Sequence, residues 1–223
     1  MKTTVGSLRI VVLGARKVGK SAITVRYLTK RYIGEYSSGS DFEYTTVVNI
    51  GDEPVKLEIL DTSDSQDGLT ESTLRRYQAD AFIVVYSIAD DSATVTVQSE
   101  LEKIHRGRQT QRSAVIILGN KLDLEHFRQV EADDIRPLAQ KYQCRHVEIS
   151  AAEDFSSVCS VFEGLLSEAF EAQKQRSKNV KRRRSILGNM SRKLGNMFKR
   201  KSLEDLLLKR RLSPSRQSAR RSL

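Results

Sequence analysis

The chain has 223 residues, 39% of them hydrophobic, which is enough for one globular domain and an extension. Its net charge of +10 is unevenly spread: residues 1–173 carry 20 Lys+Arg against 26 Asp+Glu, whereas 174–223 carry 18 against only Glu204 and Asp205. Two cysteines in patterned apolar stretches, Cys144 and Cys159, exclude a disulfide scaffold and fit buried, reduced thiols; no apolar run is long enough to span a membrane, and "MKTTVGSLRI" has no signal-peptide core.

In chain order, "LRIVVLG" (8–14) is a β-branched run stopped by glycine, which predicts a buried strand. "KSAITVRYLTKRY" (20–32) places Ile23, Tyr27 and Leu28 at helical spacing. "EYTTVVNI" and "PVKLEILD" flank "GDE" and predict an antiparallel hairpin. "AFIVVYSI" (81–88) and "AVIILGN" (114–120) predict two more strands. Helices are expected over 92–106 and 131–142, the second dented by Pro137. "RHVEISA" (145–151) reads as a sixth strand. A long amphipathic helix is expected over 155–176, with apolar positions at 158, 162, 165, 166, 169 and 170. Strands alternating with helices imply an α/β fold with a mostly parallel sheet, mixed by the hairpin. Ligands in such sheets sit at the carboxyl ends of the strands.

Four of those strand ends carry motifs. The first is Gly14-x-x-x-x-Gly19-Lys20-Ser21, between a strand and a helix. Glycines let backbone N–H groups wrap a phosphate, the lysine reaches the outer phosphates, the serine hydroxyl suits Mg²⁺, and the helix N-terminus adds positive charge. The candidate nucleotide contacts are Gly14, Ala15, Arg16, Lys17, Val18, Gly19, Lys20, Ser21 and Ala22. Asp61 in "LDTSD" is the second metal-side residue beside Ser21, acting through a water. In "GNKLD" (119–123), the Asp123 carboxylate can accept the paired N1–H and amino donors of guanine, which adenine lacks; Asn120, Lys121 and Leu124 support the same loop. "ISAA" (149–152) brings Ser150, Ala151 and Ala152, with the Ala151 N–H aimed at the guanine O6.

These motifs, in this order, resemble those of the Ras superfamily of small GTPases over about residues 8–173. The stretches "VGKSAITVRYLTKRYIGEY" and "LGNKLDLEHFRQV", with a basic cysteine-free tail, look most like its RERG-like and Ras-like-11 branch. The resemblance implies a P-loop NTPase fold with a six-stranded sheet and about five flanking helices. It also implies a monomeric GTP/GDP switch with Mg²⁺, worked by an exchange factor and a GTPase activator, with Tyr32 packing on the guanine.

Three places depart from that family. The position of its Mg²⁺-binding switch threonine is Gly39; Ser38 or Ser40 substitutes only if the loop shifts by one residue. Ser40, Asp41, Phe42 and Glu43 differ from the usual effector-reading residues. In "DTSDSQ", Asp64 stands where the family has a γ-phosphate-sensing glycine, Ser65 stands at its catalytic glutamine, and Gln66 follows one place late. Arg16 and Lys17 replace two loop glycines. They either point to solvent or to Asp64, or crowd the site, or Arg16 acts as an internal arginine finger. The catalytic candidates are therefore Lys20, Gln66 and Arg16, and slow hydrolysis is expected. The rival readings are a nucleotide-bound module that never cycles and an ATP-using P-loop enzyme.

Residues 174–223 form a basic tail. Ile186, Leu187, Met190, Leu194, Met197 and Phe198 share a face of a conditional helix over 185–208, weakened by Gly188 and Gly195. Its expected partners are an anionic membrane surface, a calmodulin-like groove or nucleic acid. "KRRR" and "KRKS" also suit a nuclear or nucleolar address. Ser185, Ser202, Ser213 and Ser222 are candidate sites for basophilic kinases. Lys2 argues against myristoylation, and no cysteine after Cys159 is available for prenylation. A cytoplasmic protein with peripheral or nuclear contacts and no lipid anchor is expected.

Overall fold

Apolar side chains alternate along the first strand. Leu8, Ile10 and Val12 join one buried cluster, and Val11 and Leu13 join another. A two-residue period with both faces buried requires helices on both sides of the sheet. The computed structural model describes residues 6–33, 41–62, 78–107 and 113–178. The strands are β1 (Gly6–Gly14), β2 (Phe42–Ile50), β3 (Glu53–Asp61), β4 (Ala81–Ser87), β5 (Ala114–Asn120) and β6 (Arg145–Glu148). The α-helices among the described residues are α1 (Lys20–Thr29), α2 (Ala93–Gly107), α3 (Ala132–Tyr142) and α4 (155–178). The described residues up to Lys174 form one compact unit.

The sheet has six strands in the order β2-β3-β1-β4-β5-β6. Only β2 and β3 pair antiparallel; every other neighbouring pair is parallel. One face packs Ile23 of α1 and Val158, Phe162, Leu165, Leu166, Ala169 and Phe170 of α4 against the sheet. The opposite face packs Val97, Leu101 and Ile104 of α2 and Ile135, Leu138 and Ala139 of α3. Each fully buried Leu, Ile or Phe of this kind contributes about 1.5–3 kcal/mol. Tyr27 stacks on Phe162 with ring centroids 4.0 Å apart, and burial, helped by Cys159 and Glu163, pushes its hydroxyl up to about 12.

Several sequence expectations shift. α1 stops at Thr29 rather than 32, because Lys30 turns left-handed (φ 62°) and its N–H donates to Arg26 O. β6 ends at Glu148 rather than 151; Ile149 still bonds the backbone of Gly119 and Leu122, and the Ala151 N–H turns to a side chain described below. Neither cysteine is fully buried; both are partly exposed and outside any disulfide. Cys159 lies on the outer side of α4, its thiol beside Glu163 Oε1 at 3.3 Å. Pro137 sits inside a continuous α3. It is exposed, as is Asp133, so the carbonyl released by the missing proline N–H faces water.

Candidate nucleotide site

β1 is the switch point of the sheet. Its neighbours β3 and β4 lie on opposite sides, so a crevice opens at its carboxyl end. There the chain turns through Gly14 (φ 142°) and Gly19 (φ 101°) into α1. A Cβ on Gly14 would fall 2.1 Å from Val85 O, and one on Gly19 would fall 2.3 Å from Asn120 Nδ2. Both positions therefore need glycine, for backbone angle and for space. Gly19 caps α1 without a side-chain acceptor, so the helix opens on backbone N–H groups. Lys20 is 5% exposed, and its Nζ donates to Gly14 O (3.0 Å) and Ala15 O (2.8 Å). That pair arches the ammonium over the loop backbone. Val18 is buried beneath it, while Arg16 and Lys17 are exposed.

Asn120 ties this loop to the two others. Its Nδ2 donates to Val18 O (2.9 Å), and its Oδ1 accepts from the Ala151 N–H (3.0 Å). The Ala151 N–H that sequence reasoning aims at a guanine O6 is thus bonded to Asn120 here. Lys121 adopts φ 69° and starts a 3-10 segment, Leu122–Phe127. Asp123 lies in its first turn, where the Ser150 hydroxyl donates to its Oδ1 at 2.6 Å. Ser150 Oγ also accepts the Glu153 N–H (3.2 Å). Leu122 N–H donates to Ile149 O (3.1 Å), and Ile149 N–H donates to Gly119 O (2.8 Å). The two loops are therefore laced together by backbone and side chain, with Leu124 and Ala152 at their margins.

Asp61 ends β3 in register with Val12 and is 1% exposed. Next to it, the Thr62 hydroxyl donates to Val12 O (2.7 Å). Ser21 opens α1 beside the loop. A blocked-Cβ cradle, a buried ammonium, a helix N-terminus and a buried carboxylate together fit a phosphate chain with a divalent cation. Ser21 and Asp61 would hold that cation, and Lys20 would hold the phosphates. Tyr32 lies 46% exposed beyond the end of α1. Gln66, Asp64, Ser65, Ser38, Gly39 and Ser40 lie outside the described residues.

Sequence reasoning missed how Asp123 is held. Ser150 grips it directly, and a polar cluster of Tyr86, Arg128, His146 and Glu148 lies close behind. The available signal was Glu148, a carboxylate at the end of the strand immediately before "ISAA".

A glycine loop joining strand to helix at the switch point of a mixed α/β sheet defines the P-loop nucleotide-binding class. The Ras family model matches residues 9–171. Ras-like protein family member 12 of Danio rerio is 40% identical over 158 residues, which are 70% of this chain and 61% of that protein. Human Ras-like protein family member 11A is 36% identical over 168 residues, 72% of this chain and 69% of that one. The match thus spans under two thirds of the zebrafish relative. The chain belongs to the Ras family of small GTPases.

Proposed function

We propose that this chain binds GTP and GDP with Mg²⁺, serves as a signalling switch and hydrolyses GTP slowly. The observation that carries the reading is the gripped Asp123. A carboxylate fixed by the Ser150 hydroxyl at 2.6 Å keeps its orientation for a base, and Asn120 sets that base at a fixed span from the phosphate loop. Lys20 and the α1 N-terminus take the phosphate charge, with Ser21 and Asp61 toward the cation. Mg²⁺, when bound, neutralises charge between the outer phosphates. Arg16, exposed on the same loop, would act on the last phosphate either by crowding it or as an internal finger, the two readings that bear on the rate. Family members work with exchange factors, activators and effectors; here those partners follow from the family alone.

The test is the base swap. Asp123→Asn replaces an acceptor with an amide, so preference should move from guanine to xanthine nucleotides, read by competition against labelled GDP. Unchanged preference, or ATP recovered from the purified protein, would sink the reading. One nucleotide retained at full occupancy, with no exchange on adding excess GTP, is instead the outcome of a module that never cycles.

A further inference from the structure

Three parallel strands end side by side beneath the base-reading loops. Tyr86 of β4 pairs in register with Gly119 of β5, and Gly119 pairs with Glu148 of β6. A Cβ on Gly119 would lie 2.7 Å from Tyr86 Oη and 2.8 Å from Glu148 Cγ, so the two side chains close over the glycine that precedes Asn120. Glu148 in turn is two residues before Ser150. Arg128 reaches this row from just past the 3-10 segment that carries Asp123. Its Nη1 and Nη2 donate to Glu148 Oε1 (3.0 Å) and Oε2 (2.8 Å). On the other side its Nε and Nη2 donate to Glu125 Oε1 (2.8 Å) and Oε2 (2.7 Å), and Nη1 also reaches Val130 O (2.9 Å).

The hydrogen bonds run one way. Tyr86 O–H donates to Glu148 Oε1 at 2.8 Å. With that proton committed, the 2.9 Å contact between Tyr86 Oη and His146 Nε2 has the imidazole as donor. Burial pushes the His146 ring below its usual range against the pull of Glu148, which favours the neutral ring, and the Tyr86 contact then puts its proton on Nε2. Burial would raise the Glu148 carboxyl, but hydrogen bonds from Arg128 and Tyr86 overcome it and hold the group ionised.

We infer that Arg128, Glu148, Tyr86 and His146 are positioning residues for guanine recognition. Touching no nucleotide themselves, they lock the Asp123 segment and the Ser150 strand end into one rigid body. The inference rests on the guanine reading above. A guanidinium shared between two carboxylates spans the segments with a fixed fork, which a point charge cannot do. A monodentate link would let Asp123 and Ser150 drift apart and blunt discrimination before the fold is lost.

The experiment compares GDP with inosine diphosphate, which lacks the 2-amino group that the Asp123 carboxylate reads. Full-length wild type, Tyr86→Phe, Arg128→Ala and Arg128→Lys are titrated with both nucleotides, and melting temperature is followed alongside. Arg128→Ala should weaken GDP binding about tenfold and move the GDP preference toward one, as expected when part of a charge-assisted hydrogen bond is lost. Arg128→Lys should fail to rescue it. Tyr86→Phe keeps the ring in the core and should reduce the preference about threefold at near-wild-type melting temperature. That variant decides the matter if the Arg128 variants unfold. Wild-type preference for GDP kept intact in Tyr86→Phe overturns this inference alone. A wild type that binds both nucleotides equally overturns the guanine reading and this inference with it.

Discussion

Asp64 and Ser65 follow Asp61 where the family's pattern has glycine and glutamine. Hydrolysis in this family depends on holding a water in line and on stabilising charge at the last phosphate. On the proposed reading, a carboxylate at the glycine position would add repulsion at that phosphate, and a glutamine one place late in the sequence would misaim the water. Reverting both, as Asp64→Gly/Ser65→Gln, should raise single-turnover GTP hydrolysis on the order of tenfold or more. Nucleotide affinity should change little, because the residues proposed to hold the base and the inner phosphates, Asp123, Lys20 and the glycine loop, are unaltered. A rate equal to wild type would show that the limit lies elsewhere, with Arg16 and Lys17 the next residues to change. The sequence discloses these substitutions because each replaces a residue with one fixed job. It does not disclose the Ser150–Asp123 grip, which joins residues 27 positions apart and depends on β6 ending early.

α3 is held at its start by its own acids. Glu131 N–H, which no helical carbonyl can satisfy, donates to Asp134 Oδ2 at 3.0 Å. Asp133 and Asp134 also place negative charge on the first turn, where the helix dipole favours it. Asp134→Ala should lower stability by about 1 kcal/mol, seen as a shifted denaturant midpoint with unchanged slope. No shift at all would mean that water serves the exposed Glu131 N–H equally well. This start is legible in the sequence, because acid-rich first turns before an apolar periodic run are local signals. Strands β1, β4 and β5 are legible for a similar reason, since their runs are apolar, with Arg9 the one charged residue among them, and stop at glycine, serine or asparagine. β6 is not: "RHVEISA" reads as one strand, yet the Ala151 N–H goes to the Asn120 side chain rather than a ladder carbonyl, and the Ser150 hydroxyl goes to Asp123. α1 misleads in the same way, because its pattern continues past Lys30 while the backbone turns left-handed there.

Charge at the scale of the whole chain separates two tasks. Residues 1–173 carry an excess of acids, and 174–223 carry 18 basic residues against two acids. An anionic lipid surface should therefore repel the first part and attract the second. Residues 181–211 hold 12 of the basic residues with Ile186, Leu187, Met190, Leu194, Met197 and Phe198 among them. Each Lys or Arg near such a surface contributes about 1 kcal/mol, so this stretch alone exceeds what stable peripheral binding needs. The full chain should sediment with vesicles containing phosphatidylserine and stay in solution with neutral phosphatidylcholine vesicles. Deleting 181–211 should abolish sedimentation, because it removes 12 basic residues and two acids and leaves the chain without net charge to draw it to the surface. Salt at about 1 M, where the Debye length falls to about 3 Å, should release the full chain if charge dominates. Binding that survives that salt yet is lost on deletion assigns the contact to the apolar stripe instead. Sedimentation of the deleted chain would refute the tail as anchor. Phosphate on Ser185 and Ser202, each beside basic residues, should weaken binding in step with the charge it cancels, since each adds about −1.5 to −2.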